Sequence, residues 1–153
     1  MADRAIVTEL QRLAALHGGV LKPAVVVEAA RDEDSPLHAH FEWDDSAAGE
    51  AWRLHQARNL IRVQVTYERV SPEKTIPVRV FVSLTPDRED ENGGYRVVAD
   101  VMSDVDMRRQ MLADARQEMR SFRLKYDRLT ELSDVFSAMR KAEAETEGLQ
   151  ESA

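Results

Sequence analysis

Through the first sixty residues the apolar positions recur every three or four places, whereas between residues 62 and 102 they recur every second place. The first spacing belongs to helices with one buried face, the second to half-buried strands. Residues 3–17 predict an amphipathic helix, with Val7, Leu10 and Ala14 on one stripe and Ile6, Leu13 and Leu16 beside it, ended by Gly18-Gly19. Pro23 suits the first turn of a second helix through about Arg31, although the β-branched run Val25-Val26-Val27 keeps a strand open as an alternative. Asp32-Glu33-Asp34 breaks that element, and Ser35-Pro36 reads as the cap and first position of one short turn reaching Phe41. Asp44, Asp45 and Ser46 offer N-cap and first-turn groups to a third helix, because the positive end of its dipole stabilises carboxylates there. Its inward face is expected to hold Ala47, Ala51, Leu54, Arg58 and Ile61, with Ala57 at the edge and Trp52 flanking it.

The alternating segments predict three strands, at about 62–70, 76–84 and 95–102, with Pro72 in the first turn and a polar, mobile loop at 87–94. Consecutive strands with short links imply an antiparallel meander covered on one face by helices. Asp104 can cap a final helix reaching about Ala144. Its apolar positions Leu112, Ala115, Met119, Phe122, Tyr126 and Leu129 step by three and four, and Leu132, Phe136 and Met139 follow after a three-residue step that breaks the heptad. About 35 helical residues span roughly 50 Å, more than a three-stranded sheet can cover. Part of that stripe therefore needs another chain. The expected fold is α+β: a helical N-terminal lobe (1–61), an antiparallel β-meander (62–104), a long C-terminal helix (105–144) and a flexible tail (145–153).

Composition narrows the functional classes. The 153 residues suffice for one compact unit with an appendage, and 43% apolar with 32% charged residues suits a soluble globular chain. No apolar run approaches a membrane span, and Met1-Ala-Asp-Arg-Ala lacks the order of a signal peptide. The absence of cysteine removes disulfides, thiolate catalysis and thiolate zinc sites, which suits a reducing cytoplasm. A net charge of −7 disfavours nonspecific attraction to DNA. Arg108–Arg128, with seven basic residues against three acidic ones, stands out as the only basic region of any length.

The densest chemistry lies in residues 35–48. His38, His40, Glu42, Asp44, Asp45 and the more distant His55 include metal-ligating types, yet the turn-like context of His-x-His favours a hydrogen-bonded corner over a metal site. No metal or other cofactor is expected. Trp43 and Trp52 serve either as core anchors or as an exposed patch for a partner, and both stand as candidate interaction residues. Gly18-Gly19 and Gly93-Gly94 lack the spacing and following Lys of a phosphate loop, and no nucleophile elbow or kinase signature accompanies the carboxylates. The chain reads as no enzyme. Arg109, Arg116, Arg120 and Arg123 form one helical stripe, suited to carboxylates across a helix interface or to phosphates. Phe122 and Leu129 lie on the adjoining apolar seam. A helix-turn-helix near 24–41 is the alternative reading, weakened by Glu42, Asp44 and Asp45 beside its second helix and by the lack of Arg, Lys, Asn or Gln to read bases.

The stretch Ser35-Pro-Leu-His-x-x-Phe-Glu-Trp-Asp-Asp-x-x-Ala-x-x-x-Trp-Arg-x-x-Gln-Ala-Arg-x-Leu-Ile61 resembles a family of small proteins encoded in bacteriophages and prophages, and the resemblance continues through Gly94-Tyr-Arg and Lys125-Tyr-x-x-Leu-x-Glu-Leu132. It implies phage origin and a bacterial cytoplasmic setting, and it assigns no site residue. The expected function is that of a non-catalytic accessory protein, a homo-oligomer that binds a host or phage protein through the helix 105–144. Nucleic acid is the alternative partner, and no membrane is expected.

Overall fold

The computed structural model describes residues 3–45, 49–90 and 93–147. Helix α1 (Arg4–Leu16) starts at Asp3, whose carboxylate accepts from the Ala5 N–H at 3.0 Å. It ends where Gly18 and Gly19 take φ of 67° and 82°, a region that residues with a Cβ enter at a cost. Ile6, Leu10, Leu13 and Ala14 are buried, whereas Leu16 is exposed. Helix α2 (Pro23–Ala30) has Pro at its first turn and buries Val26, Val27 and Ala30. Burial of the valines on one side outweighs their weak preference for strands.

Helix α3 (Glu50–Arg62) starts later than expected: Gly49 precedes it, and Asp44 and Asp45 do not cap it. Asp45 is instead held by Arg53, 2.6 Å away. Ser46 and Ala47 lie outside the described residues. The buried face consists of Arg53, Ala57 and Ile61, with Leu54 and Leu60 partly covered, so Ala57 sits at its centre and Ala51 is exposed. A buried arginine is invisible to a hydrophobic pattern, which is why the expected face is rotated.

The three-stranded meander is replaced by two two-stranded antiparallel ladders. Strands β1 (Val65–Ser71) and β2 (Lys74–Arg79) form a ribbon with Val65 opposite Arg79, Tyr67 opposite Pro77 and Arg69 opposite Thr75. Strand β3 (Phe81–Val82) pairs with β4 (Arg96–Val97). Val80 separates them, since its N–H donates to the Gln64 carbonyl at 3.2 Å and its carbonyl accepts from Val98 at 2.8 Å. The expected second strand is thereby cut in two. Of the expected third strand only Arg96–Val97 joins a ladder, Tyr95 forming an isolated bridge; Val98–Ser103 forms helix α5, with Val101 fully buried. Val98, Val101 and Met102 carry helical spacing, and over so few residues either period fits.

Helix α4 (Thr85–Glu89) runs into the loop expected to be mobile at 87–94, and its Asp87 is buried. Arg96 closes on that carboxylate through Nε at 2.8 Å and Nη2 at 2.6 Å. Glu91 and Asn92 lie outside the described residues. Buried Gly94 approaches Val20 so closely that a Cβ there would come within 2.6 Å of its Cγ1. Beside it Leu21 and Tyr95 exchange backbone hydrogen bonds, tying the α1–α2 loop to the entry of β4. The core joins α1, α2 and α3 to Leu37, Phe41, Val80, Phe81 and Val97.

Residues 1–103 form one compact unit and residues 104–153 a second. In the second, Asp104 accepts from the Met107 N–H at 2.8 Å and starts helix α6 (Val105–Tyr126). The C-terminal helix is not continuous to Ala144. A 3-10 turn at Thr130–Leu132 intervenes before helix α7 (Ser133–Glu147). Phe122 meets Phe136 while Arg120 reaches Glu147, so α6 and α7 run antiparallel as a hairpin. The fold-back occurs at the broken heptad, where a straight helix could no longer bring its apolar stripe onto one face. Residues 145–147 of the expected tail belong to α7, and 148–153 lie outside the described residues.

Candidate interaction surfaces

The motif at 35–45 folds as a corner between α2 and α3. His38 Nδ1–H donates to the Ala30 carbonyl at 2.9 Å, and its ring stacks on Trp43 with centroids 5.1 Å apart and planes 14° off parallel. The Trp43 Nε1–H returns a hydrogen bond to the His38 carbonyl at 3.1 Å. Arg31 and Arg53 stand 5.8 and 5.9 Å from the Trp43 ring, within cation–π range. Arg53 is 6% exposed and is paired with Asp45 and with Glu50 at 3.3 Å. The hydrogen bond that Arg53 donates to Asp45, opposed by desolvation and assisted by Glu50, raises the guanidinium pKa above its ordinary value. Trp43 is thus packed against the core. With its ring nitrogen, ring face and both flanking cations engaged inside the fold, it is an anchor of this corner.

His40 is exposed, and His55 accepts from the Asn59 amide at 2.9 Å. No group of three metal-ligating side chains is assembled among the described residues. Trp52, by contrast, is 51% exposed and stacks on His55 at 5.3 Å. The segment after Pro36 is a single 3-10 turn, His38–His40. Three residues at about 2 Å each advance roughly 6 Å, too short for a recognition helix laid along a major groove. The helix-turn-helix at 24–41 therefore lacks its second helix.

The arginine stripe divides. Arg109 pairs with Asp106 on its own helix at 2.9 Å. Arg123 donates from Nη2 to Glu143 at 2.9 Å, and Arg120 lies 4.0 Å from Glu143 and 3.6 Å from Glu147. Two of the four candidates thus pair with carboxylates across a helix interface, within one chain. Arg116 is half-buried on the same helix. Phe122 packs on Tyr126 at 4.9 Å while remaining 41% exposed, and Leu129 at the fold-back is 45% exposed.

Sequence reasoning missed Arg53, Glu143 and the Asp87–Arg96 pair, all charges buried by partners distant in the chain. It also missed the free face of the β1–β2 ribbon, for which a compositional signal existed. No family model, curated protein or solved structure matches the chain. No helix among the described residues is long and apolar enough to cross a membrane.

Proposed function

We propose that this is a non-catalytic accessory protein of a phage or prophage, acting in the bacterial cytoplasm by self-association and by binding a macromolecular partner through residues 104–147. One observation carries the reading. Within that unit Phe136 is the one buried apolar side chain among the described residues, while Val105, Leu124, Leu129 and Val135 are exposed and Phe122 is partly so. A two-helix hairpin of this size cannot bury enough apolar surface to offset chain entropy alone, and its helices gain most of their stability from packing. A second copy laid along the exposed seam supplies that packing.

The test is sedimentation velocity across micromolar concentrations. Wild type is expected to associate, and Leu129→Asp, which alters a side chain of the apolar seam that is 45% exposed, is expected to shift the population toward monomer without loss of helix. A wild-type chain that sediments as a monomer throughout would overturn the proposal.

A further inference from the structure

Charge is segregated in this acidic chain. Residues 51–79 carry six Lys and Arg against two Glu, although the whole chain has 21 against 28. This surplus equals that of Arg108–Arg128 and corrects the view that the latter is the only basic stretch. It straddles the junction of α3 and β1, which hides it from a count made segment by segment.

Of the six, Arg53 is buried and neutralised, but Arg62, Arg69, Lys74 and Arg79 are exposed. None of these four forms a salt bridge with a described residue, and Arg62 is bonded only to the neutral Asn59 amide. Opposed residues of an antiparallel pair share a face, so Val65, Tyr67 and Arg69 lie with Arg79, Pro77 and Thr75. That face carries two cations, a tyrosine 59% exposed and no acidic group. Thr66, Glu68 and Val78 belong to the other face and line a cavity of about 460 Å³ with Val97, Ala99 and Met102, and Arg79, at the base of the ribbon, borders the same cavity while remaining exposed. The cationic face, on which Tyr67, Arg69 and Arg79 are all exposed, is taken as the outer one.

Arg69 and Arg79 are separated by four rungs, about 14 Å along the ribbon at roughly 3.4 Å per residue. The major groove of B-DNA is about 12 Å wide and admits a two-stranded ribbon. We infer that the outer face of β1–β2, with Arg62 at the end of α3 and Lys74 at the tip, is a duplex-DNA contact in which Arg69 and Arg79 reach phosphates on opposite sides of a groove. Tyr67, opposite Pro77, lies between them and faces the groove. This site is independent of the self-association seam and replaces the helix-turn-helix as the location of any nucleic-acid contact. The net charge of −7 sets the strength: long-range repulsion weakens the encounter, and the local cations act only within about a Debye length, roughly 10 Å at 0.1 M salt.

Fluorescence anisotropy of the full chain with a labelled 20-base-pair duplex, and with one of its single strands, provides the test. Four phosphate contacts predict a log–log salt slope near −3.6, so duplex affinity should fall roughly 100-fold between 50 and 200 mM salt. Arg69→Gln/Arg79→Gln should flatten that slope by about two and weaken binding, with the circular dichroism spectrum unchanged because both side chains are exposed. Arg109→Gln/Arg116→Gln should leave duplex binding intact. The inference is overturned by no duplex binding at 50 mM salt, by binding to the single strand alone, or by loss of binding in the Arg109/Arg116 variant with retention in the ribbon variant.

Discussion

Arg96 and Asp87 show most clearly what one residue decides here. The carboxylate is 6% exposed at its side chain and accepts three hydrogen bonds from two guanidinium nitrogens, besides a longer one from the Leu84 N–H at 3.4 Å. Arg96→Ala removes the cation and leaves the anion buried, so unfolding in urea should show a loss of about 3–5 kcal/mol. A loss below about 1 kcal/mol would mean that water reaches Asp87 freely. The two tryptophans make a paired comparison. Trp43→Leu breaks the stack on His38 and the bond to its carbonyl, and should lower stability by about 2–3 kcal/mol. Trp52→Ala alters a half-exposed ring and should change stability by no more than about 0.5–1 kcal/mol. Equal effects in thermal melts would contradict the different roles assigned to them. Neither role was legible in composition, because both tryptophans sit at apolar-compatible positions within one motif.

At the scale of elements, the α6–α7 hairpin is clamped by Glu143, which is 8% exposed and faces both Arg120 and Arg123. The two arginines contribute unequally. Arg123 is 19% exposed and bonds Glu143 directly, whereas Arg120 is 47% exposed and more distant. Arg123→Gln should therefore reduce helical content and melting temperature clearly, by about 1–3 kcal/mol, while Arg120→Gln should cost under about 1 kcal/mol. Far-ultraviolet circular dichroism on both variants decides it, and the reverse order would argue for a different pairing. The hairpin was partly readable beforehand, since the three-residue step from Leu129 to Leu132 marks its turn. The strands were less readable. A period of two across Val78, Val80 and Val82 is correct for alternation, but it cannot show that Val80 bends the chain from one ladder into the next.

For the molecule as a whole, burial is divided unequally between the two units. Every buried apolar side chain among the described residues except Phe136 belongs to residues 1–103. A fragment of residues 1–103 should accordingly unfold cooperatively in urea, with a melting temperature within several degrees of the full chain. A fragment of residues 104–153 should be largely unfolded when dilute and gain helix with concentration. Loss of cooperativity in the first fragment, or full helicity of the second at nanomolar concentration, would contradict this division.

What the sequence by itself determined is local: helix α1, the glycine stop at Gly18-Gly19, the Asp104 cap and the β1–β2 ribbon all follow from periodicity, turn chemistry and capping, which act over a few residues. Tertiary structure alone decided which charges are buried, how the strands are partitioned and that the last helix folds back instead of continuing to Ala144. Arg53 with Asp45, Arg96 with Asp87 and Arg123 with Glu143 are separated by eight, nine and twenty residues, and each carries an ionic group away from water only because its partner arrives there too. The energy of such a pair belongs to neither residue alone, so a pattern that scores positions one at a time assigns both to the surface.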